Sequence, residues 1–312
     1  MKKILVIGGT GFIGHHCLKK ASKLNASLFS LSLKKPKKSR KIKKVKYFKL
    51  DFTNYKKLKK WRKIYHSFSK IRDKMKNIKL DIVIPVYNEG KKINHLITQL
   101  RKNIHCKFRV LICYDSDEDT TIKEINKNRI KNDIILIKNP GQGPNTAIKQ
   151  GIKFSKSDII LVFMADDFQN IKLINKMVNI INSGHDLVIP SRFVSGGKFI
   201  GGQFLKKLIT YVGSFLLYRI AGIPYKDCTN AFKMFNKKIK SRIKLESTKG
   251  FTFALELTTK AYFGGFKIVE LPSIWKNPDY KKSNFKMTSW IPYYFYWFLY
   301  SIKLNILSKL KL

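Results

Sequence analysis

Acid is scarce in this sequence: 19 Asp+Glu stand against 64 Lys+Arg, leaving a formal net charge of +45 on 312 residues. Such an excess usually points to nucleic acid or to an anionic membrane. Lysine, however, is spread through nearly every segment, and no helix-turn-helix, zinc-finger or aromatic RNA-binding signature accompanies it, so no nucleic-acid partner is expected. Cysteine is scarce too. Cys17, Cys106, Cys113 and Cys228 show no paired spacing, which excludes a disulfide scaffold and suits a reducing cytoplasm. Uninterrupted apolar runs near the ~18 residues needed to span a bilayer are lacking. The opening "MKKILVIGG" breaks into glycines too early for a signal peptide and reads as a strand. Two segments come partway to a span: "LITYVGSFLLYRIAGI" at 208–223, interrupted by Arg219, and "WIPYYFYWFLYSI" at 290–302. Both suit helices lying at a membrane surface, with Trp290 and Trp297 at headgroup depth and lysines reaching outward; core helices explain them as well.

What is present begins with a strand, a glycine turn and a helix. Gly8, Gly11 and Gly14 have the spacing that brings a backbone close to a pyrophosphate at a helix N-terminus. "ILVIGGTGFIG" and "FKLDFTN" resemble the opening of the extended short-chain dehydrogenase/epimerase family. The likeness covers about the first 60 residues. No acid closes the second strand, where "LSLKKPKK" stands. Residues 1–54 therefore read as a partial Rossmann-like βαβ segment, a remnant that binds no dinucleotide tightly. Residues 55–79 read as a basic helical linker.

The chain restarts at "LDIVIPVYNEG" (80–90), and strands then alternate with helices through "DIILVFMAD". That order predicts a mostly parallel sheet with helices on both faces, with ligands bound beyond the carboxyl ends of the strands. Four of those ends carry polar clusters: "PVYNEG" (85–90), "YDSDEDTT" (114–121), "NPGQGPNTA" (139–147) and "MADDFQN" (164–170). Four clusters at successive ends point to one shared site. Two of the scarce acids, Asp166 and Asp167, stand side by side in the last.

In order and spacing these segments resemble family 2 glycosyltransferases of the GT-A fold, and among them the polyprenyl-phosphate sugar transferases, over about residues 80–288. The resemblance implies a nucleotide-sugar donor, with Pro85, Tyr87, Asn88, Glu89, Asp115, Gly141, Gly143, Asn145 and Asp166 around it. It implies Mg²⁺ or Mn²⁺ at Asp166, because hard cations take carboxylate and phosphate oxygens; either Asp167 is a second metal ligand or Asp166 anchors the ion alone. Met164 stands where the family's first metal-binding Asp is usual, and Tyr114 replaces one acid near the base. Asp119 reads as a helix cap. "PSRFVSGGK" (190–198) implies Ser191 and Arg192 beside an acceptor phosphate, which suits a guanidinium fork. In "YKDCTNAFKMFNKKI" (225–239), Ala231 stands for a usual glycine and Lys233 for an arginine. Asp227 and Glu256 are the candidates to take a proton should the acceptor be a hydroxyl; Glu256 reads equally as a buried acid tying down loops.

The expected enzyme is thus an inverting sugar transferase at the inner face of the cell membrane. It uses a lipid-linked acceptor in cell-surface glycan synthesis, with residues 289–312 as an amphipathic helix on anionic lipid. A glycan hydroxyl as acceptor is the alternative, and an NAD-dependent epimerase or reductase remnant a further one.

Overall fold

The computed structural model of the chain describes residues 2–7, 12–22, 26–32, 45–49, 79–127, 133–201, 204–276 and 287–310, with isolated positions at 36, 39, 41 and 42. Two compact units divide after Lys76. In the first, β1 (Lys2–Ile7), α1 (Phe12–Ala21), β2 (Ala26–Ser32) and β3 (Val45–Lys49) follow one another, and the strands form a parallel sheet in the order β1-β2-β3. Leu18 and Ala21 of the helix pack on Leu28 and Val45. Gly8 and Gly11 of the glycine turn, and all but the last residue of the 55–79 linker, lie outside the described residues.

The second unit is built on short β-branched runs: β4 (Leu80–Pro85), β5 (Phe108–Tyr114), β6 (Ile134–Lys138), β7 (Ile159–Val162) and β8 (Leu187–Ser191). With β10 (Lys233–Asn236) and β11 (Ile268–Pro272) they form a seven-stranded sheet ordered β11-β8-β10-β7-β4-β5-β6. β9 (Lys198–Ile200) pairs with β12 (Ile274–Lys276) in a separate two-stranded sheet. Alternation along β4 sends Leu80, Ile82 and Ile84 into one core, against α2 (Lys92–Asn103), α3 (Thr120–Lys127) and α5 (Leu173–Asn182). Val83 enters the other, against α4 (Pro144–Phe154), α7 (Lys237–Arg242) and α8 (Phe253–Phe263). Each fully buried Leu or Ile contributes about 1.5–3 kcal/mol, so the two clusters dominate the stability of this unit. Polar groups lie inside as well, each needing a partner. Asp81 is fully buried, but Arg109 forks onto it at 2.8 and 2.7 Å and Ser155 donates at 2.8 Å. Burial acts to raise its pKa, yet these bonds hold the carboxyl below its ordinary value.

β4, β5, β6 and β7 are parallel neighbours, so their four polar ends share one edge of the sheet. β10 is the exception, antiparallel between β7 and β8. Its reversal brings the residues that precede it, Asp227–Phe232, beside the residues that follow β7. Phe163 and Phe232 meet edge to face, 5.1 Å apart, at this junction. A third cluster joins Leu217 of α6 (Phe204–Arg219), Leu255 of α8 and Trp297 of α9 (Met287–Leu310).

This corrects the expectation that Trp297 lies at headgroup depth. Trp297 is only 4% exposed, with the Lys260 ammonium 5.1 Å from its ring, and Trp290 covers Gly250 and meets Phe251 edge-on. The exposed faces belong to other side chains. Among the described residues no helix is long and apolar enough to cross a membrane.

Candidate active site

At the end of β4 the backbone turns through Asn88, whose φ of 55° is the left-handed conformation that Asn tolerates better than most residues. Asp119 fixes that turn. Its carboxylate, buried, accepts the Asn88 N–H at 3.1 Å and the Thr121 N–H at 2.8 Å, so it caps α3 and ties the first two strand ends together. Glu89 N–H donates to Thr121 Oγ1 at 2.9 Å, while the Tyr87 ring stands 64% exposed above the sheet edge. Pro85 closes β4 itself.

Asp115 performs the same service between β5 and β6. One carboxylate oxygen accepts from Asn139 at 2.7 Å and the other from the Gly143 N–H at 2.8 Å. Gly143 has φ of 91°, a conformation that a side chain would strain, and hands the chain to Pro144 at the start of α4. Gly141 lies in the same turn, its N–H donating to Asn139 Oδ1 at 3.3 Å. Asn145 is buried, its amide within 3.2 Å of Ser247 Oγ and Thr252 Oγ1. It faces the 247–252 loop rather than the open edge, and fastens that loop to α4.

The acid pair closes β7. Asp166 is partly exposed, whereas Asp167 is 2% exposed and accepts from Asn170 at 2.6 Å. Asn170 also bonds the backbone of Ile274, so β12 supports the turn. Burial, with Asp166 adding to it, pushes the Asp167 carboxyl up to about 7 against the pull of Asn170. Two adjacent carboxylates, one so raised, make a place where positive charge is favourable. Among the described residues no group of three His, Cys, Asp or Glu stands close enough to hold a metal ion on its own. A site of one or two carboxylates still fits Mg²⁺ or Mn²⁺ when a diphosphate completes the shell.

On the other side of β10, Arg192 leaves the end of β8 and forks onto Asp227, Nε donating at 2.7 Å and a terminal N–H at 2.6 Å, while its own backbone N–H adds 2.9 Å. Asp227 is fully buried, and Glu270 of β11 accepts its N–H at 3.0 Å. Lys233 Nζ is fully buried nearby with no hydrogen-bond partner.

Besides that for Asn145, three expectations change. Ser191 is fully buried and its hydroxyl accepts the Phe193 N–H at 3.4 Å, so it shapes the strand end and does not face a ligand. Asp227 is spent on Arg192. Glu256 is fully buried, accepting the N–H groups of Glu246 and Ser247 at 2.6 and 2.8 Å and Lys260 at 2.7 Å. It staples the 246–247 loop, and neither acid is placed to take a proton. Sequence reasoning missed Asn139, Asn170 and Glu270. The first was detectable as an Asn opening a Pro-Gly turn at a strand end; Glu270 carried no local signal, being 43 residues from its partner.

Residues 81–243, just over half of the chain, match the family model described as Glycosyl transferase family 2. The dolichol-phosphate mannosyltransferase of Pyrococcus furiosus is 27% identical over 201 residues, which are 62% of this chain and 56% of that protein. This chain thus spans about half the length of that relative. The polyprenol monophosphomannose synthase of Mycolicibacterium smegmatis is 21% identical over 202 residues, 61% of this chain and 75% of that one. Among solved structures, the glucosyl-3-phosphoglycerate synthase of Mycobacterium tuberculosis, crystallised with Mn²⁺ and UDP, aligns with a TM-score of 0.51 at 13% identity, covering 76% of this chain and 81% of that one. The TarS fragment 1–349 of S. aureus aligns with a TM-score of 0.50 at 18% identity, covering 74% and 66%. The α/β sheet is thus the GT-A arrangement expected. The family match begins at 81 and lends nothing to the epimerase likeness of the first 60 residues.

Proposed function

This chain belongs to glycosyl transferase family 2, and on that premise we propose that it transfers a sugar, with inversion, from a nucleoside-diphosphate sugar to a polyprenyl phosphate at the inner membrane face. Residues 80–288 are the transferase domain, and α9 meets the membrane through its exposed side chains. One observation carries this reading: Arg192, forked on a buried carboxylate, stands one strand away from the Asp166–Asp167 edge. An anion-binding corner thereby faces the place where a donor diphosphate would lie.

The turns held by Asp115 and Asp119 frame the donor, with Tyr87 as a lid for the base and the 141–143 backbone close to the phosphates. Asp166, backed by Asp167, would hold a divalent cation whose charge offsets that gathering on the departing nucleoside diphosphate. Arg192 keeps three of its five N–H donors after the fork to Asp227, and these orient the acceptor phosphate. Its oxygen forms the new bond to the anomeric carbon as the bond to the diphosphate breaks, the electron pair leaving with the diphosphate. A phosphate arrives ionised and needs no base. That matters, because Asp227 and Glu256 are both committed, which favours this acceptor over a glycan hydroxyl.

The surface supports the location. α6 exposes Leu208, Tyr211, Val212 and Phe215, and α9 exposes Tyr293, Phe295, Tyr296 and Leu299, side chains suited to a lipid boundary. The test is nucleoside diphosphate release from a panel of nucleotide sugars, with and without polyprenyl phosphate, and mass analysis of the lipid product. Release that rises with the lipid and yields a sugar-phosphate lipid is expected. Release that ignores the lipid and responds to a glycan would overturn the reading.

A further inference from the structure

Arg192 has neighbours that the transfer step leaves unused. Its guanidinium carbon lies 5.3 Å from the centre of the Phe193 ring and 5.1 Å from that of Phe199. Phe193 in turn meets Tyr211 of α6 edge-on, 5.9 Å between ring centres. The backbone holds these rings in place. Gly197 N–H donates to the Val194 carbonyl at 2.8 Å, and a Cβ at 197 would stand 2.5 Å from the Ser191 carbonyl oxygen, so the 193–197 turn folds tightly back over the end of β8. Phe199 is fixed in β9 by pairing with Trp275.

Tyr211 is 59% exposed and lies one helical turn from Leu208 and from Phe215, both exposed. An aromatic and aliphatic track therefore runs from the open face of α6 to a guanidinium whose side chain is only 12% exposed. The two ends ask for different chemistry. The guanidinium asks for an anion, and the rings that crowd it disfavour a hydrated sugar or glycerol beside that anion. A phosphate joined to a hydrocarbon satisfies both.

We infer that Phe193, Phe199 and Tyr211 form a subsite for the first isoprene units of the acceptor, next to the phosphate held by Arg192. This subsite selects a prenyl phosphate over a water-soluble phosphate. The inference rests on the polyprenyl-phosphate reading above and adds which residues read the tail. Selection occurs at the protein, not only through partition into the bilayer, so it survives without a membrane.

The experiment uses the full chain in membrane-free buffer, with geranyl phosphate and ethyl phosphate as competing acceptors and the nucleotide sugar that supports transfer as donor. Wild type is expected to prefer geranyl phosphate by at least about tenfold in kcat/KM, the range one apolar contact set supplies. Tyr211→Ala should remove most of that preference by raising KM for geranyl phosphate, with the donor KM unchanged. Tyr211→Phe should restore it. Phe199→Ala should act in the same direction, and because Tyr211 is exposed, its truncation reports even where the Phe199 variant fails to fold. A wild-type preference retained in Tyr211→Ala, or an equal loss on both acceptors, would overturn the subsite. A wild type that uses both acceptors without preference also overturns it while leaving the transferase reading intact. A wild type that uses neither acceptor defeats that reading as well.

Discussion

Replacing Lys233 by Met should make the protein more stable. The amine is fully buried and has no hydrogen-bond partner, a costly state for a polar group and more so for a charge. Burial lowers its pKa from 10.5 to about 8, with Arg192 helping and Cys228, Asp227 and Glu270 opposing. Below about pH 8 the amine is charged in both folded and unfolded chains, and the folded state carries the whole cost of desolvation. Between about 8 and 10.5 only the unfolded chain holds the proton, so wild-type stability climbs with pH and levels off above that window. A depression of this size corresponds to about 3 kcal/mol. Met has a similar length and no charge, so Lys233→Met should gain about that much at pH 7, or about 6–12 °C in melting temperature for a chain of this size. Urea and thermal unfolding of both proteins from pH 7 to 10.5 would measure it. The gap should shrink as pH rises. A variant less stable than wild type at pH 7, or a gap independent of pH, would refute the reasoning. A variant that gains stability but loses turnover would show that the buried amine is kept for the reaction.

Asp166→Ala should abolish nucleoside diphosphate release while leaving the melting curve intact; unchanged turnover at saturating Mn²⁺ would remove Asp166 from the metal site. Asp227→Asn leaves the Arg192 guanidinium without its charge partner, and should cost about 3–5 kcal/mol in urea unfolding and raise KM for the lipid acceptor more than for the donor. Should donor KM rise equally, Arg192 serves both substrates. For the membrane, Phe215→Glu and Leu299→Glu alter exposed positions and leave the ring partners of Trp297, Tyr296 and Tyr300, in place. Together they should weaken co-sedimentation with anionic vesicles more than high salt does, and an intact protein that stays in the supernatant at low salt would assign both faces to other contacts.

Much of this was legible in the residues alone. Runs such as "DIVIP" and "DIILV" record by their β-branched alternation where strands are buried, and polar residues at their ends record where chains turn. The shared edge carrying Asp115, Gly143 and Asp166 follows from that pattern. What the tertiary structure decided is how each carboxylate is used. Asp227 meets Arg192 from 35 residues away because β10 runs backwards between β7 and β8, and a period-two pattern is the same in either direction. Glu256 is spent on a loop ten residues upstream, Ser191 points inward, and Trp297 turns to the core because α8 offers it a surface. Local sequence determines which side chains leave water; the partner each one finds depends on which distant segment the fold places against it.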